Sequence, residues 1–283
     1  MRNILSVDVE EYFHATEVQH AQDCWDMLPS RIEMQTDIVL ELLERNKTTA
    51  TFFILGWVAE RHPGLVRKIA QAGHEIGCHS YAHQLIYNLT PAEFRRDTWR
   101  AMDAIERACG KRPRVYRAPS YSITRRSMWA VDILAECGFT HDSSIYPIRH
   151  DRYGIPGFTR YAQTLETASG QICEVPIATV RLRRNTIAPI GGGAYLRLLP
   201  YSYTAAGIRR LNRNEQQPAC TYFHPWEVDP GQPRIASGAI SRFRTYWGLS
   251  TMAAKLDRLL SEFEFCALTS VYPLPEPALA VRS

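Results

Sequence analysis

The sequence predicts an α/β protein, a barrel built on parallel strands, and three observations predict it. Short apolar or β-branched runs alternate with amphipathic helical stretches, the connections between them are brief, and five of the runs end on a charged or imidazole side chain. Strand–helix–strand units with short loops pair in parallel, and there are enough of them to close a barrel rather than form a small open sheet. At 283 residues the chain can bury a substantial core without covalent staples.

The elements follow in order. Residues 4–9 read as a buried strand, and after an irregular segment with Trp25 and Pro29, residues 31–45 place Ile38, Val39, Leu42 and Leu43 at helical spacing. Residues 49–55 are β-branched and aromatic, hence a strand, and Pro63 opens a helix that stops at Gly73. A short strand at residues 75–78 comes next. Thr90, Pro91 and Glu93 supply the cap, early proline and acid that start a helix running to Cys109, with Gly110 as its stop. Residues 115–117 and 139–142 are strands, and residues 124–137 the helix between them. After Ser143 the rhythm breaks: residues 146–214 are rich in Gly, Pro, Tyr and Arg, with one strand at 172–176. Gly191-Gly192-Gly193 lacks the preceding strand and spacing of a phosphate-binding loop and reads as a bend. Regularity returns at 219–223 (strand), 241–263 (helix) and 265–270 (strand). The chain divides into residues 1–145 with the candidate site, residues 146–272 completing the barrel and a substrate groove, and a loose tail at 273–283.

Composition narrows the function classes. The hydrophobic and charged fractions, 45% and 22%, are those of an ordinary globular protein. The net charge of +4 is mild and the arginines are scattered, which argues against nucleic acid as a partner. The N-terminus runs straight into a strand without the apolar core of a signal peptide, and no transmembrane segment is evident, so the sequence predicts a cytoplasmic protein. Seven cysteines, odd in number and without a CxxC pair, fit reduced core residues rather than a zinc or redox motif.

In a parallel barrel the C-terminal strand ends converge on one face. Here they carry Asp8-Val9-Glu10, His79, Arg117, Asp142 and His224. Taken singly, each has a plain structural role as a cap, a surface charge or a polar tip. His79 and His83 lie four apart, and Asp8 and Glu10, two apart on an extended chain, point the same way. One carboxylate and two imidazoles can hold a divalent ion, leaving the other carboxylate to act as a base on water. His224 is then a candidate general acid, and Arg117 a partner that keeps the base ionised. His74-Glu75-Ile76-Gly77-Cys78-His79 is one residue too long for the zincin pattern. Trp226, Trp247 and Tyr246 fit packing better than a cofactor box, and His14, His141 and His150 take surface or core roles.

These residues carry a resemblance. Ser6-Val7-Asp8-Val9-Glu10, His79-Ser80-Tyr81-Ala82-His83, Arg117-Ala118-Pro119 and Tyr222-Phe223-His224 are similar, in order and spacing, to the motifs of the NodB-homology polysaccharide deacetylases, carbohydrate esterase family four. The fuller wording, with Arg-Ala-Pro-Ser-Tyr-Ser-Ile and Phe-His-Pro-Trp-Glu, resembles the branch associated with exosortase (PEP-CTERM) and exopolysaccharide systems. The resemblance implies a distorted (β/α) barrel with an irregular C-terminal extension, and metal-dependent removal of N-acetyl groups from a hexosamine-containing polysaccharide or its lipid-linked precursor. It implies Asp8 as base, Arg117 as its partner, His224 as acid, and His79 and His83 as metal ligands. Where the commoner wording has two adjacent aspartates and a glycine, Val9 stands in second place, so the metal carboxylate falls to Glu10. Tyr121 and Trp226 are assigned to substrate binding, and Asp142 resembles a further motif only loosely. Zinc leads as the ion, with cobalt, nickel, manganese and iron also acceptable to this donor set. Two other readings remain: hydrolysis of a small amide by the same machinery, and a carbohydrate-binding protein on a decayed scaffold. The last predicts lost site residues, yet all are present. Paired carboxylates of a glycosidase would leave the histidines unexplained.

Overall fold

The computed structural model describes residues 1–15, 22–182, 186–235 and 238–273. Strand β1 (Asn3–Val9) is buried along its whole length, as a central strand covered on both faces must be. Strands β2 (Thr51–Ile54), β3 (Glu75–Cys78), β4 (Val115–Tyr116) and β5 (His141–Asp142) extend the sheet in sequence order, each parallel to the one before. A hairpin of β6 (Gln163–Thr167) and β7 (Gly170–Glu174) follows, with β7 parallel to β5. Strands β8 (Thr179–Arg181) and β9 (Ile187–Pro189) form a separate hairpin. Strand β10 (Cys220–Phe223) runs parallel to β1, and the short β11 (Phe265–Cys266) pairs with the first residues of β1. The ring closes between β7 and β10, where the Ala178 amide donates to the Cys220 carbonyl at 2.9 Å. The result is a distorted parallel barrel, with β6 antiparallel at its edge.

Helices α1 (Ile32–Arg45), α2 (Gly56–Arg61), α3 (Pro63–Gln71), α4 (Pro91–Cys109) and α5 (Trp129–Glu136) follow the successive strands. The start of α4 is as the sequence predicts: Thr90 and Glu93 exchange hydrogen bonds in a capping box, and Gly110 ends the helix at φ 73°. From the second half come α6 (Gly193–Leu198), α7 (Tyr201–Arg210), α8 (Ala239–Tyr246), α9 (Leu249–Glu262) and α10 (Leu268–Val271).

Several expectations are corrected. The stretch 146–214 holds two hairpins and two helices, and β6 pairs its alternating half-buried residues with β7. The helix expected at 124–137 begins only at Trp129, since Ser127 accepts the Thr124 amide and shapes a turn first. The single helix expected at 241–263 is two, broken at Gly248 with φ 80°. The strand expected to reach 270 stops at Cys266, and the chain turns into α10, whose first amide, that of Leu268, donates to Thr51 Oγ1. Gly192 opens α6 because no side chain fits there: a Cβ would stand 1.8 Å from the Tyr222 carbonyl oxygen. The tail from residue 274 onward lies outside the described residues.

The barrel interior is filled by large side chains from one strand facing small ones from the next. Phe53 of β2 occupies the space above Gly77 of β3, where a Cβ would lie 2.7 Å from the ring. Gly77→Ala is therefore expected to destabilise the protein by about 1–3 kcal/mol in urea unfolding. Gly64→Ala, at a position with nothing within 4 Å of the added carbon, is expected to be neutral or stabilising in the same measurement.

Candidate active site

The pleat of β1 sorts the acidic run. Asp8 and Glu10 reach the open end of the barrel, whereas the Glu11 carboxylate accepts the Arg31 and Ile32 amides at the start of α1. The third strand delivers His79, and the loop beyond it is pinned by α4, where Asp97 accepts the amides of Tyr81 and Ala82 at 2.8 and 3.1 Å. Ser80 and His83 are held at positive φ, 63° and 50°, as are Ser120 and Tyr121 after β4. Of the six non-glycine residues with positive φ among those described, these four lie in the two loops of the site. Such conformations cost on the order of 1–2 kcal/mol each, and His83, Ser120 and Tyr121 line the cavity from them, while the Ser80 hydroxyl accepts the His83 amide.

Glu10, His79 and His83 converge. Their ligand atoms lie within 4.8 Å of one another, and all three residues are buried. The His79 Nδ1–H donates to the Arg117 carbonyl at 2.8 Å, which leaves the Nε2 lone pair facing Glu10 Oε2 at 3.9 Å. His83 Nε2 lies 2.6 Å from the same oxygen, yet that oxygen accepts no well-formed hydrogen bond. A buried carboxylate oxygen approached by two imidazoles without hydrogen-bond geometry is a donor set that fits a cation. Burial acts most strongly on the Glu10 carboxyl and would raise its pKa, but His83, His224 and His79 outweigh it and hold it well below the usual carboxylate range. Burial also lowers His79 to about 4, so it is neutral near pH 7, the form a ligand needs.

On one side of this cluster, Asp8 Oδ1 accepts from Arg117 Nη1 at 2.7 Å. That guanidinium is fully buried, and its remaining donors go to Ser6 Oγ and to the Ser143 carbonyl and hydroxyl. Burial disfavours its charge, but Asp8 more than compensates and raises its pKa.

On the other side, His224 places Nε2 3.4 Å from Glu10 Oε1, and its Nδ1 bonds Glu227 at 3.0 Å. Burial lowers its pKa, but Glu10 and the hydrogen bond and charge of Glu227 lift it to about 9. Glu227 in turn accepts from the buried Arg197 at 2.9 Å, and Arg197 is fastened to the Trp247 and Arg244 carbonyls. Sequence reasoning missed Glu227 and Arg197. The capping-box spacing of His224-Pro225-Trp226-Glu227 was the available signal for Glu227, whereas nothing local marks Arg197.

Trp226 stacks on His224 at 5.0 Å and donates its indole N–H to Glu10 Oε1 at 3.3 Å, so it serves both groups while lining the cavity. Tyr121 lines the same cavity, among the rings of Tyr146, Tyr153 and Tyr222. Asp142 does not join the site. It faces the outer layer, paired with Glu174, and it accepts from the Ser144 hydroxyl, which receives the Ala118 amide at 2.8 Å. Because side chains alternate along a strand, the neighbouring Ser143 points inward in its place. The cavity is about 300 Å³, at the small end for a ligand site, and Tyr195, Arg152 and Arg244 from the second half of the chain complete its wall.

The fold and the cluster at its strand ends define an α/β barrel with a candidate carboxylate–imidazole metal centre. Residues 19–141 match the family model described as polysaccharide deacetylase, and residues 143–273 match a domain of unknown function, DUF3473. The likeness to polysaccharide deacetylases thus lies in residues 19–141, less than half of the chain. The first match contains His79, His83 and Arg117. The chain is 33% identical over 98 residues to a peptidoglycan-N-acetylglucosamine deacetylase of Bacillus cereus, covering 34% of this chain and 36% of that protein. It is 36% identical over 101 residues to a chitooligosaccharide deacetylase of a Bradyrhizobium species, covering 35% and 43%. The matched stretch therefore spans less than half the length of these relatives. Among solved structures, a candidate polysaccharide deacetylase from Mycobacterium smegmatis superposes with a TM-score of 0.59 at 20% identity, over 98% of this chain and 94% of that one. A family 4 carbohydrate esterase from Streptomyces lividans gives 0.50 at 17%, over 94% and 91%. At these identities the likeness concerns the fold.

The contacts to His224 predict a pH effect. A general acid works while protonated, so if His224 has that role its alkaline limit sits at its pKa, which Glu10 and Glu227 hold up. Glu227→Gln removes the charge, lowers the pKa of His224, and is expected to move the alkaline limb of the kcat profile to lower pH, with kcat in the alkaline range down on the order of tenfold. An unmoved limb contradicts the role.

Proposed function

We propose that this protein is a metal-dependent N-deacetylase acting on a hexosamine-containing polysaccharide or its lipid-linked precursor in exopolysaccharide biosynthesis. The observation that carries this reading is the convergence of Glu10, His79 and His83 between the Asp8–Arg117 pair and His224. A divalent ion on those three residues, zinc first among the candidates, would supply Lewis-acid polarisation of the acetamide carbonyl and acidify water. The chain's own groups do the rest. Asp8, held in place by Arg117, takes the proton from the attacking water. His224, kept protonated by Glu227, gives a proton to the departing amine. Tyr121, Tyr195 and Trp226 offer flat apolar faces to a sugar ring, and Arg152 and Arg244 stand at the wall for hydroxyl or anionic groups. The curated relatives named as peptidoglycan and chitooligosaccharide deacetylases support an N-acetylated glycan as substrate. The wording of the motifs and the DUF3473 match are compatible with the exopolysaccharide setting.

The test is metal content together with acetate release from N-acetylglucosamine oligomers. Wild type is expected to hold one ion per chain and release acetate. Glu10→Gln is expected to lose the ion. Asp8→Asn is expected to keep it while kcat falls by roughly 100-fold or more. A wild-type protein that takes up no ion on reconstitution and releases no acetate leaves the carbohydrate-binding reading in its place.

A further inference from the structure

We propose that helix α8 docks this protein on an anionic lipid surface. The helix exposes Ile240 and Phe243, 71% and 51% accessible, and Trp247 just beyond its end is 62% accessible. Positions i, i+3 and i+7 share one helical face. The Phe243 and Trp247 rings touch with centroids 5.5 Å apart, so the patch is continuous. Other large apolar side chains that reach solvent are scattered or covered, as Trp99 is by Arg112.

Charge selects the occupant. From Pro230 to Lys255 there is no Asp or Glu, while Arg234, Arg242, Arg244 and Lys255 are all cationic. Arg234, Arg242 and Arg244 are exposed, and none makes an ion pair among the described residues. Several arginines elsewhere on the surface do pair with carboxylates, as in Arg61–Asp26, Arg95–Glu136 and Arg112–Glu106. Arg234, Arg242, Phe243 and Trp247 line one open depression, so cation and aromatic face the same way. Aromatic and aliphatic side chains on one stripe, flanked by exposed arginines on a run of sequence without acids, suit a helix lying in the head-group region of an anionic membrane. Among the described residues no helix is long and apolar enough to cross a membrane, so this contact lies on the surface.

The position of the helix gives the contact its use. Arg244 and Thr245 on α8 form part of the active-site cavity wall. Docking there sets the cavity beside the lipid head groups, where a lipid-borne glycan would be presented. That last step rests on the proposed function, whereas the docking itself does not.

Sedimentation with vesicles tests it. The wild-type chain is expected to partition onto vesicles of equal phosphatidylglycerol and phosphatidylcholine at least about tenfold more strongly than onto phosphatidylcholine alone, and to be released by high salt. Ile240→Ser/Phe243→Ser and Arg234→Glu/Arg242→Glu are each expected to lower that partitioning about tenfold or more, with thermal midpoints equal to wild type as the check on folding. Wild type that stays in the supernatant with anionic vesicles overturns the proposal, as do variants that sediment like wild type. If wild type instead dimerises in sedimentation equilibrium and the Ile240/Phe243 variant does not, the patch belongs to a second copy and the proposal falls. Because the readout is vesicle binding, a failure here is separate from a failure to release acetate.

Discussion

The buried guanidinium of Arg117 is the group on which the rest of the site depends. It closes on Asp8 and Ser6 of β1 and on Ser143 beyond β5, so one side chain ties strands from opposite walls of the barrel. Its own carbonyl fixes the tautomer and tilt of His79. An unpaired guanidinium at this depth would cost on the order of 3–5 kcal/mol, so the contact with Asp8 serves the fold as well as the site. Phe53 lies flat beneath the guanidinium at 4.2 Å, and Gly77 makes room for Phe53. The small residue on β3, the aromatic on β2 and the cation after β4 form one packed unit that sets Asp8 beside Glu10, His79 and His83.

The second half of the chain supplies the other wall. Strand β10 joins β1 directly and carries His224 to the rim, and the turn after it folds back so that Trp226 and Glu227 grip Glu10 and His224. Arg31, just before α1, and Gln35 on it hold the end of this turn through Asp229. Arg197, from the short helix after the glycine triplet, completes the chain of contacts to His224. The wedge of Gly192 against Tyr222 is what brings α6, and with it Arg197, close enough to do so.

Much of this was legible in the sequence, and for physical reasons. Strand ends of a parallel barrel share a face, so Asp8, Glu10, His79, Arg117 and His224 announce a common site without any knowledge of long-range contacts. The cap, proline and glycine around α4 specify its ends locally, and its boundaries follow. What was not legible depends on tertiary contact. Glu11 looks equivalent to Glu10 but caps α1 on the other face of the strand. Asp142 sits at the right strand end but on the wrong side of the pleat. Arg197 and Asp97 act from helices distant in sequence, where neither spacing nor residue type distinguishes them from surface charges. The glycine-rich stretch after residue 146 hides two helices because their stability comes from packing on the barrel rather than from propensity.

The central claim is that one carboxylate and two imidazoles form a metal centre at the rim of the barrel. X-ray absorption at the zinc edge of the reconstituted protein tests it most directly. The account predicts a coordination sphere of nitrogen and oxygen at about 2.0–2.1 Å with the outer scattering of two imidazoles, falling to one imidazole in His83→Ala. A spectrum without imidazole scattering, or one dominated by sulfur at about 2.3 Å, would contradict it.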